Sequence, residues 1–270
     1  MEFYQSIAKY YDQIFDLSQN KVNFVKHFIE QNNGKLLDIG CSTGKMDKDI
    51  ISDFSHISAI DLDKAMIEYA KQYYHDPMID FYAMNMLNIG DKFTKNSFNI
   101  ITCFGNTLVH LNTLSEIQSL LTQIFNLLKN DGSFLCQIIN YDRILENEIT
   151  FLPTIENENL KFTRNYKYQK NRHKIKFSTV LSVGSDNVNI KNQIELLPLV
   201  KNDIVKMLQI AGFKKIDLFS NWDLKPFNIE ATPLILRSVK RLKKTSESFS
   251  FIRRIETNRW NINERKNNLT

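Results

Sequence analysis

No apolar run in this 270-residue chain approaches the roughly 20 residues that cross a bilayer as a helix. The N-terminal stretch MEFYQSIAKYYDQIFDL has no basic flank followed by an apolar block, so no signal peptide is read there. Cysteine is scarce. Cys41, Cys103 and Cys136 stand far apart, odd in number and in apolar settings. That usage suits a reducing cytosol and excludes a disulfide framework. No spacing among the three resembles a zinc site, so a cytoplasmic location and no metal are expected.

Several ligand motifs are missing as well. Gly40 and Gly44 do not complete a G-x-G-x-x-G fingerprint, and no Lys-Ser/Thr pair completes a phosphate loop. Gly105–Asn106–Thr107 stands where an exocyclic-amine base methylase would carry Asn/Asp-Pro-Pro-aromatic, and no Pro-Cys nucleophile occurs. The net charge of +5 is concentrated at one end. From Arg237 onward there are ten Lys/Arg against three Asp/Glu, leaving 25 against 27 in the remainder. A near-neutral body argues against a face that tracks phosphates. A basic tail over 241–270 is the one feature that could take nucleic acid or an acidic partner.

What is present is alternation. The composition, 43% apolar and 24% charged, is globular, and the length suits one large domain or one domain with an insertion. Helical spacing appears over 4–16 (Ile7, Tyr10, Tyr11, Ile14) and 22–31, then over 45–53, 64–74 and 114–129. The last of these is expected to stop at Asn130–Asp131–Gly132. Short apolar runs at 35–40, 57–63, 79–84, 98–104 and 133–139 read as buried strands. Strand and helix in turn predict an α/β fold with a parallel sheet covered on both faces. Residues 159–170, 173–184 and 188–199 alternate apolar and polar and read as antiparallel strands. They define an insertion over 150–198, placed to cover the sheet's ligand edge. Residues 201–213 return to a helix, and 214–220 and 232–240 supply two more strands of the main sheet.

Ligands in such sheets sit beyond the carboxyl ends of the strands. The unusual residues fall there: Asp38 to Gly44, Asp61, Asn85, Phe104 to Asn106, and Asn140. Gly40 and Gly44 bracket a tight turn that lets a ligand approach backbone and a helix start. Asp61, 17 residues past Gly44, offers two acceptor oxygens to a ribose diol. Asp63 is read as the cap of the following helix. His110 is read either as a packing residue at a strand end or as a ligand-side residue. Asn140 and Tyr141 could satisfy backbone groups at a turn, and Asp142 is a weak general-base candidate because it also reads as a helix cap.

The segments LLDIGCSTG, AIDLDKAMIEYAK, NMLNI, FNIITCFGNTLVHL and LLKNDGSFLCQIINYD occur in that order. Together they resemble a class I S-adenosylmethionine-dependent methyltransferase, by motif over 35–145 and by architecture over about 1–240. The resemblance implies a Rossmann-like three-layer sandwich with a seven-stranded, mostly parallel sheet. It implies an N-terminal helical cap over 1–33, a cofactor-binding core over 34–149 and 199–240, and a lid over 150–198. It also implies S-adenosyl-L-methionine as cofactor and a small-molecule methyl acceptor, with no membrane partner. Tyr11, Asp38, Gly40, Cys41, Gly44, Asp61, Leu62, Asn85, Met86 and Phe104 would then form the cofactor site. Asp61 would hold the ribose, Leu62 would lie against the adenine, and Asn85 and Met86 would sit at its edge. The Phe104 carbonyl would face the cofactor's amino group. Ser42 stands where glycine is usual, and Asn85 where Asp is common.

GNTLVHL with NYDRIL is similar, more narrowly, to the glycine N-methyltransferase group. That likeness implies Asn106, His110, Asn140 and Tyr141 as candidates for positioning the substrate. Ile139 falls where that group has a carboxylate-clamping arginine, so glycine is not the expected substrate. Arg143 and Arg164 are the alternative cations, Arg164 otherwise reading as a surface strand residue. The competing functional readings are an RNA or protein methyltransferase using the basic tail, and a nucleotide-cofactor-binding protein without catalysis.

Overall fold

A computed structural model describes residues 2–29, 33–184 and 188–241. The main sheet has seven strands: β1 (Gly34–Ile39), β2 (Phe54–Asp61), β3 (Ile79–Ala83), β4 (Phe98–Cys103), β5 (Leu128–Ile139), β10 (Lys215–Phe219) and β11 (Pro233–Val239). A second sheet holds β6 (Phe151–Glu156), β7 (Leu160–Gln169), β8 (Lys174–Val183) and β9 (Val188–Leu196). The main order is β10-β11-β5-β4-β1-β2-β3, with β11 alone antiparallel to its neighbours. The second sheet is an antiparallel meander, β6-β7-β8-β9. The fold is Rossmann-like, with helices on both faces of the main sheet.

The two faces follow from the two-residue period of a strand. On β1 and β4, Leu36 and Ile100 pack with Val25, Met46, Ile50 and Ile67, whereas Leu37 and Ile101 pack with the helix Leu114–Leu127. That helix starts at a capping box, Thr113 with Glu116, and buries Ile117, Leu120, Leu121 and Ile124 completely. Each such side chain contributes about 1.5–3 kcal/mol of transfer free energy. Among the described residues no helix is long and apolar enough to cross a membrane.

Three local readings are corrected. The helix does not stop at Asn130–Asp131–Gly132. It ends at Leu127, Leu128 turns extended, and those residues form an irregularity inside β5. There Asp131 is left-handed (φ 62°) and its N–H donates to the Lys240 carbonyl. A turn-forming triplet thus serves as a strand bulge. The insertion has a fourth strand, β6, hidden in the sequence by Pro153 and by an irregularity between Leu152 and Ile155. Residues 4–16 do not form one helix. Glu2–Gln5, Ala8–Tyr10 and Tyr11–Ile14 are separate turns, broken at Ile7 (φ −112°, ψ 3°). The break lets Phe3, Ile7, Tyr10 and Ile14 pack on Leu160, Phe162, Leu181 and Val183 of the second sheet.

Of the helix read over 22–31, the described part runs Gln19–His27, and residues 30–31 lie outside the described residues. The tail over 242–270 lies outside them too.

Candidate active site

The carboxyl ends of β1, β2 and β4 open on one side of the main sheet. β1 passes into a turn whose backbone is tightly held: the Gly40 and Cys41 N–H groups both donate to the Ile60 carbonyl. Ser42 accepts a left-handed conformation (φ 50°) and donates its N–H to Asp61 Oδ2 at 3.0 Å. The other oxygen of Asp61 accepts from the Asp63 N–H at 2.9 Å, while Asp63 itself caps the next helix through the Ala65 N–H. Asp61 is therefore fixed by two backbone donors, and each of its oxygens keeps acceptor capacity for a ligand. Burial raises its pKa, opposed by the N–H groups of Asp63, Ser42 and Leu62.

Two cavities meet here. The smaller, about 80 Å³, is lined by Asp61, Leu62, Met66, Met84, Asn85 and Met86 among others. The larger, about 290 Å³, runs from Asp38, Cys41 and Phe104 to Leu152, Arg164, Tyr166, Phe177 and Leu196 of the second sheet. Tyr4, Tyr11, Gly40, Ser42, Gly105, Thr107 and His110 line both. The N-terminal segment is the roof. Asp12 accepts from Thr43 Oγ1 at 2.6 Å and from Tyr74 Oη at 2.7 Å, and Lys45 pairs with Asp16 at 3.1 Å. Asn192 of β9 donates to the Phe3 carbonyl and the Ser6 hydroxyl.

Asp38 and Lys21 both line the larger cavity. Asp38 accepts from Thr102 Oγ1 at 2.6 Å, and burial raises its pKa to about 6, against the pull of Thr102 and Lys21. Burial also raises Asp47, neither of whose oxygens has a hydrogen-bond partner, and lowers Lys21.

His110 Nε2 lies 3.1 Å from Tyr4 Oη, and burial lowers its pKa to about 4. The imidazole is thus neutral at pH 7 and shares a hydrogen bond with the Tyr4 hydroxyl, so this ring adds no positive charge to the wall. The unfolded chain protonates first, near 6.5, so the stability tied to neutral His110 is complete above that pH and is lost as pH falls toward 4. At about 1.4 kcal/mol per tenfold change in proton affinity the loss is at most roughly 3 kcal/mol, less for the part of the ring that solvent reaches. Denaturant unfolding at pH 7.5 and 4.5 should therefore show wild type losing more stability than His110→Gln. Asp38 and Asp61, whose shifts act in the opposite sense, are common to both proteins. Parallel pH dependences would remove His110 from this role.

The cavities do not gather every candidate. Gly44 faces away from them: a Cβ there would lie 2.5 Å from the Phe81 ring, so its glycine serves helix-to-strand packing. Asn140 caps Tyr141–Glu146 and donates to the Ile229 and Ala231 carbonyls. Tyr141 is fully buried, its hydroxyl joined to Asn106. Asp142 accepts from the Lys201 N–H at 2.7 Å, holding the start of the next helix, and is not placed as a base. Asn106 does line the larger cavity, but its Oδ1 accepts from the Ile139 N–H at 3.0 Å and so fastens β4 to β5. The Phe104 carbonyl already accepts from the Thr107 hydroxyl and N–H. Asn85 caps a short turn through the Leu87 N–H while lining the smaller cavity. Tyr4, Asp12 and Thr107 escaped the sequence reading. Tyr4 and Asp12 sit in a segment whose apolar spacing alone signalled packing.

Residues 36–132 match the family model described as a methyltransferase domain. Over that stretch the chain is similar to methyltransferase domains. A relative in Geobacillus sp. (strain WCH70), named as a putative methyltransferase, is 29% identical over 143 residues, covering 50% of this chain and 57% of that protein. The chain thus spans little more than half of that relative's length. Ribosomal RNA small subunit methyltransferase A of Mycoplasma capricolum subsp. capricolum is 24% identical over 239 residues, covering 76% of this chain and 90% of the relative. Among solved structures, an S-adenosylmethionine-dependent methyltransferase from Clostridium acetobutylicum superposes with a TM-score of 0.74 at 16% identity. It covers 88% of this chain and 99% of that one. The fold is that of solved S-adenosylmethionine-dependent methyltransferases, and S-adenosylmethionine is the cofactor which that likeness implies.

The residues present fit that cofactor. The smaller cavity pairs a carboxylate, suited to a ribose diol, with the apolar walls of Leu62, Met66, Met84 and Met86, suited to a base. Gly105, left-handed at φ +69°, borders both cavities, and a Cβ there would project into open space.

Proposed function

We propose that this protein transfers a methyl group from S-adenosylmethionine to a nitrogen or oxygen of a small molecule held between the two sheets. The observation that carries this reading is the shared wall. The cavity with the Asp61 carboxylate opens, past Gly40, Gly105 and His110, into one walled by the second sheet. When bound, S-adenosylmethionine supplies an activated methyl group for in-line attack by a nucleophile.

The chain's own residues bind, orient and exclude water. Asp61 takes the ribose hydroxyls, with Leu62, Met84 and Met86 beside the base. Tyr4 and Tyr11 close the roof and keep solvent from the junction of the two cavities. An amine acceptor must be neutral at attack, and desolvation between Tyr166, Phe177 and Ile139 favours that form. No dedicated base is required, in keeping with Asp142 being engaged elsewhere. The likeness of GNTLVHL and NYDRIL to the glycine N-methyltransferase group supports an amine acceptor, while Ile139 argues against glycine itself.

Calorimetric titration with S-adenosylmethionine, its demethylated product and NAD should show binding of the first two only. Incubation with pooled small amines, carboxylates and phenols, with RNA as a control, should methylate a small molecule. Binding of NAD alone would overturn the methyltransferase reading, and methylation confined to RNA would overturn the acceptor class.

A further inference from the structure

We propose that Arg164 recognises a carboxylate on the methyl acceptor, so that the substrate is an acid with an apolar body; this rests on the methyltransferase reading above. The inward face of β7 carries Leu160, Phe162, Arg164 and Tyr166 at alternate positions. Leu160, Phe162 and Tyr166 are buried, as the two-residue period of a core-facing strand requires. An arginine in that row is out of pattern.

Arg164 lines the larger cavity with Leu152, Tyr166, Phe177, Leu196 and Ile139. It is the only charged residue that the second sheet contributes to that lining among the described residues. It makes no ion pair among the described residues, and its buried Nε has no hydrogen-bond partner. A guanidinium stays charged at every physiological pH, so this apolar wall holds an uncompensated cation.

Its position is built. Leu152 pairs with Arg164 and Ile155 with Phe162, so Pro153 and Thr154 together stand opposite Thr163. That bulge turns the Pro153 carbonyl out of the ladder, where it accepts from Arg164 Nη2 at 2.7 Å. One corner of the fork is anchored and the rest is left for a ligand. Two parallel N–H donors match the two oxygens of a carboxylate. A phosphate would call for further cations beside the guanidinium; the other two in the lining, Lys21 and Lys45, come from outside the second sheet, and Lys45 is paired with Asp16.

The test compares 3-phenylpropionate with 3-phenylpropanamide, two probes of nearly equal shape that differ in charge. Both are titrated into the full chain, with and without saturating demethylated cofactor. Wild type should bind the acid at least about tenfold more tightly than the amide, the scale of one charged hydrogen-bonded pair. Arg164→Gln, which removes the charge and keeps a shorter polar side chain, should lose that preference with amide binding unchanged and the protein still folded. Arg164→Lys should keep part of it. Equal binding of the two probes by wild type, binding of neither, or a preference that survives Arg164→Gln overturns the proposal. Failure to bind S-adenosylmethionine in a separate titration would instead sink the methyltransferase reading, leaving the acid-to-amide comparison valid by itself.

Discussion

Gly40→Ala is expected to destabilise the protein by about 2–4 kcal/mol and to abolish cofactor binding at concentrations where wild type saturates. Two costs add. Gly40 is left-handed at φ +78°, which an alanine adopts only with strain of about 1–2 kcal/mol. Its Cβ would also meet Thr107, 2.5 Å from Cγ2 and closer still to Oγ1. Thr107 cannot simply swing aside, because its hydroxyl donates to the Phe104 carbonyl at 2.7 Å. Displacing it would disturb the end of β4 as well as the turn after β1, the two edges of the cofactor cavity. Urea unfolding of Gly40→Ala, Thr107→Ala and the double variant separates the terms. The double variant should recover the steric part, about 1–3 kcal/mol, and retain the backbone strain. A fully stable Gly40→Ala protein with wild-type affinity would mean that the turn is softer than its hydrogen bonds to Ile60 imply.

Asp61→Ala is expected to weaken S-adenosylmethionine binding by about 3 kcal/mol, a rise in Kd on the order of 100-fold. Asp61 acts on both sides of the site. Toward a ligand it presents two acceptor oxygens in one plane. Toward the protein it holds the Ser42 N–H, and Ser42 sits in a left-handed conformation that serine adopts only when the surroundings impose it. Removing the carboxylate thus loses the ribose contact and loosens the loop that walls both cavities. Asp61→Asn, which keeps one acceptor, should show the smaller loss, and Asp61→Ala combined with Ser42→Gly should regain the loop part alone. Calorimetry on the four proteins measures this directly, and unchanged affinity in Asp61→Ala would take Asp61 out of the site.

The strands and helices of the core could be read from the chain because each is set by a local period. Short runs rich in Ile, Leu and Phe become parallel strands, and LSEIQSLLTQIFNLL can bury only one face. Asp63 was legible as a cap, and Asp61 as a carboxylate at a strand end, because both depend on neighbours within a few residues. Asn130–Asp131–Gly132 was misread for the complementary reason. Its chemistry permits a helix stop or a bulge, and pairing with Lys240, over a hundred residues away, selects the bulge.

By itself the sequence determined the alternation of strand and helix, the place of the turn at Gly40, and the clustering of polar residues at strand ends. Only the tertiary structure decided which of those residues face a ligand. Asn140, Tyr141 and Asp142 look like site residues in one dimension, yet the Ile229 carbonyl, the Asn106 side chain and the Lys201 N–H claim their hydrogen-bonding groups. Arg164, plain in the sequence, gains its interest from an apolar wall assembled from four other strands. Local patterns report what a segment can form, because periodicity and capping are short-range. A side chain's role depends on which distant groups satisfy it, and that is settled when the sheets pack.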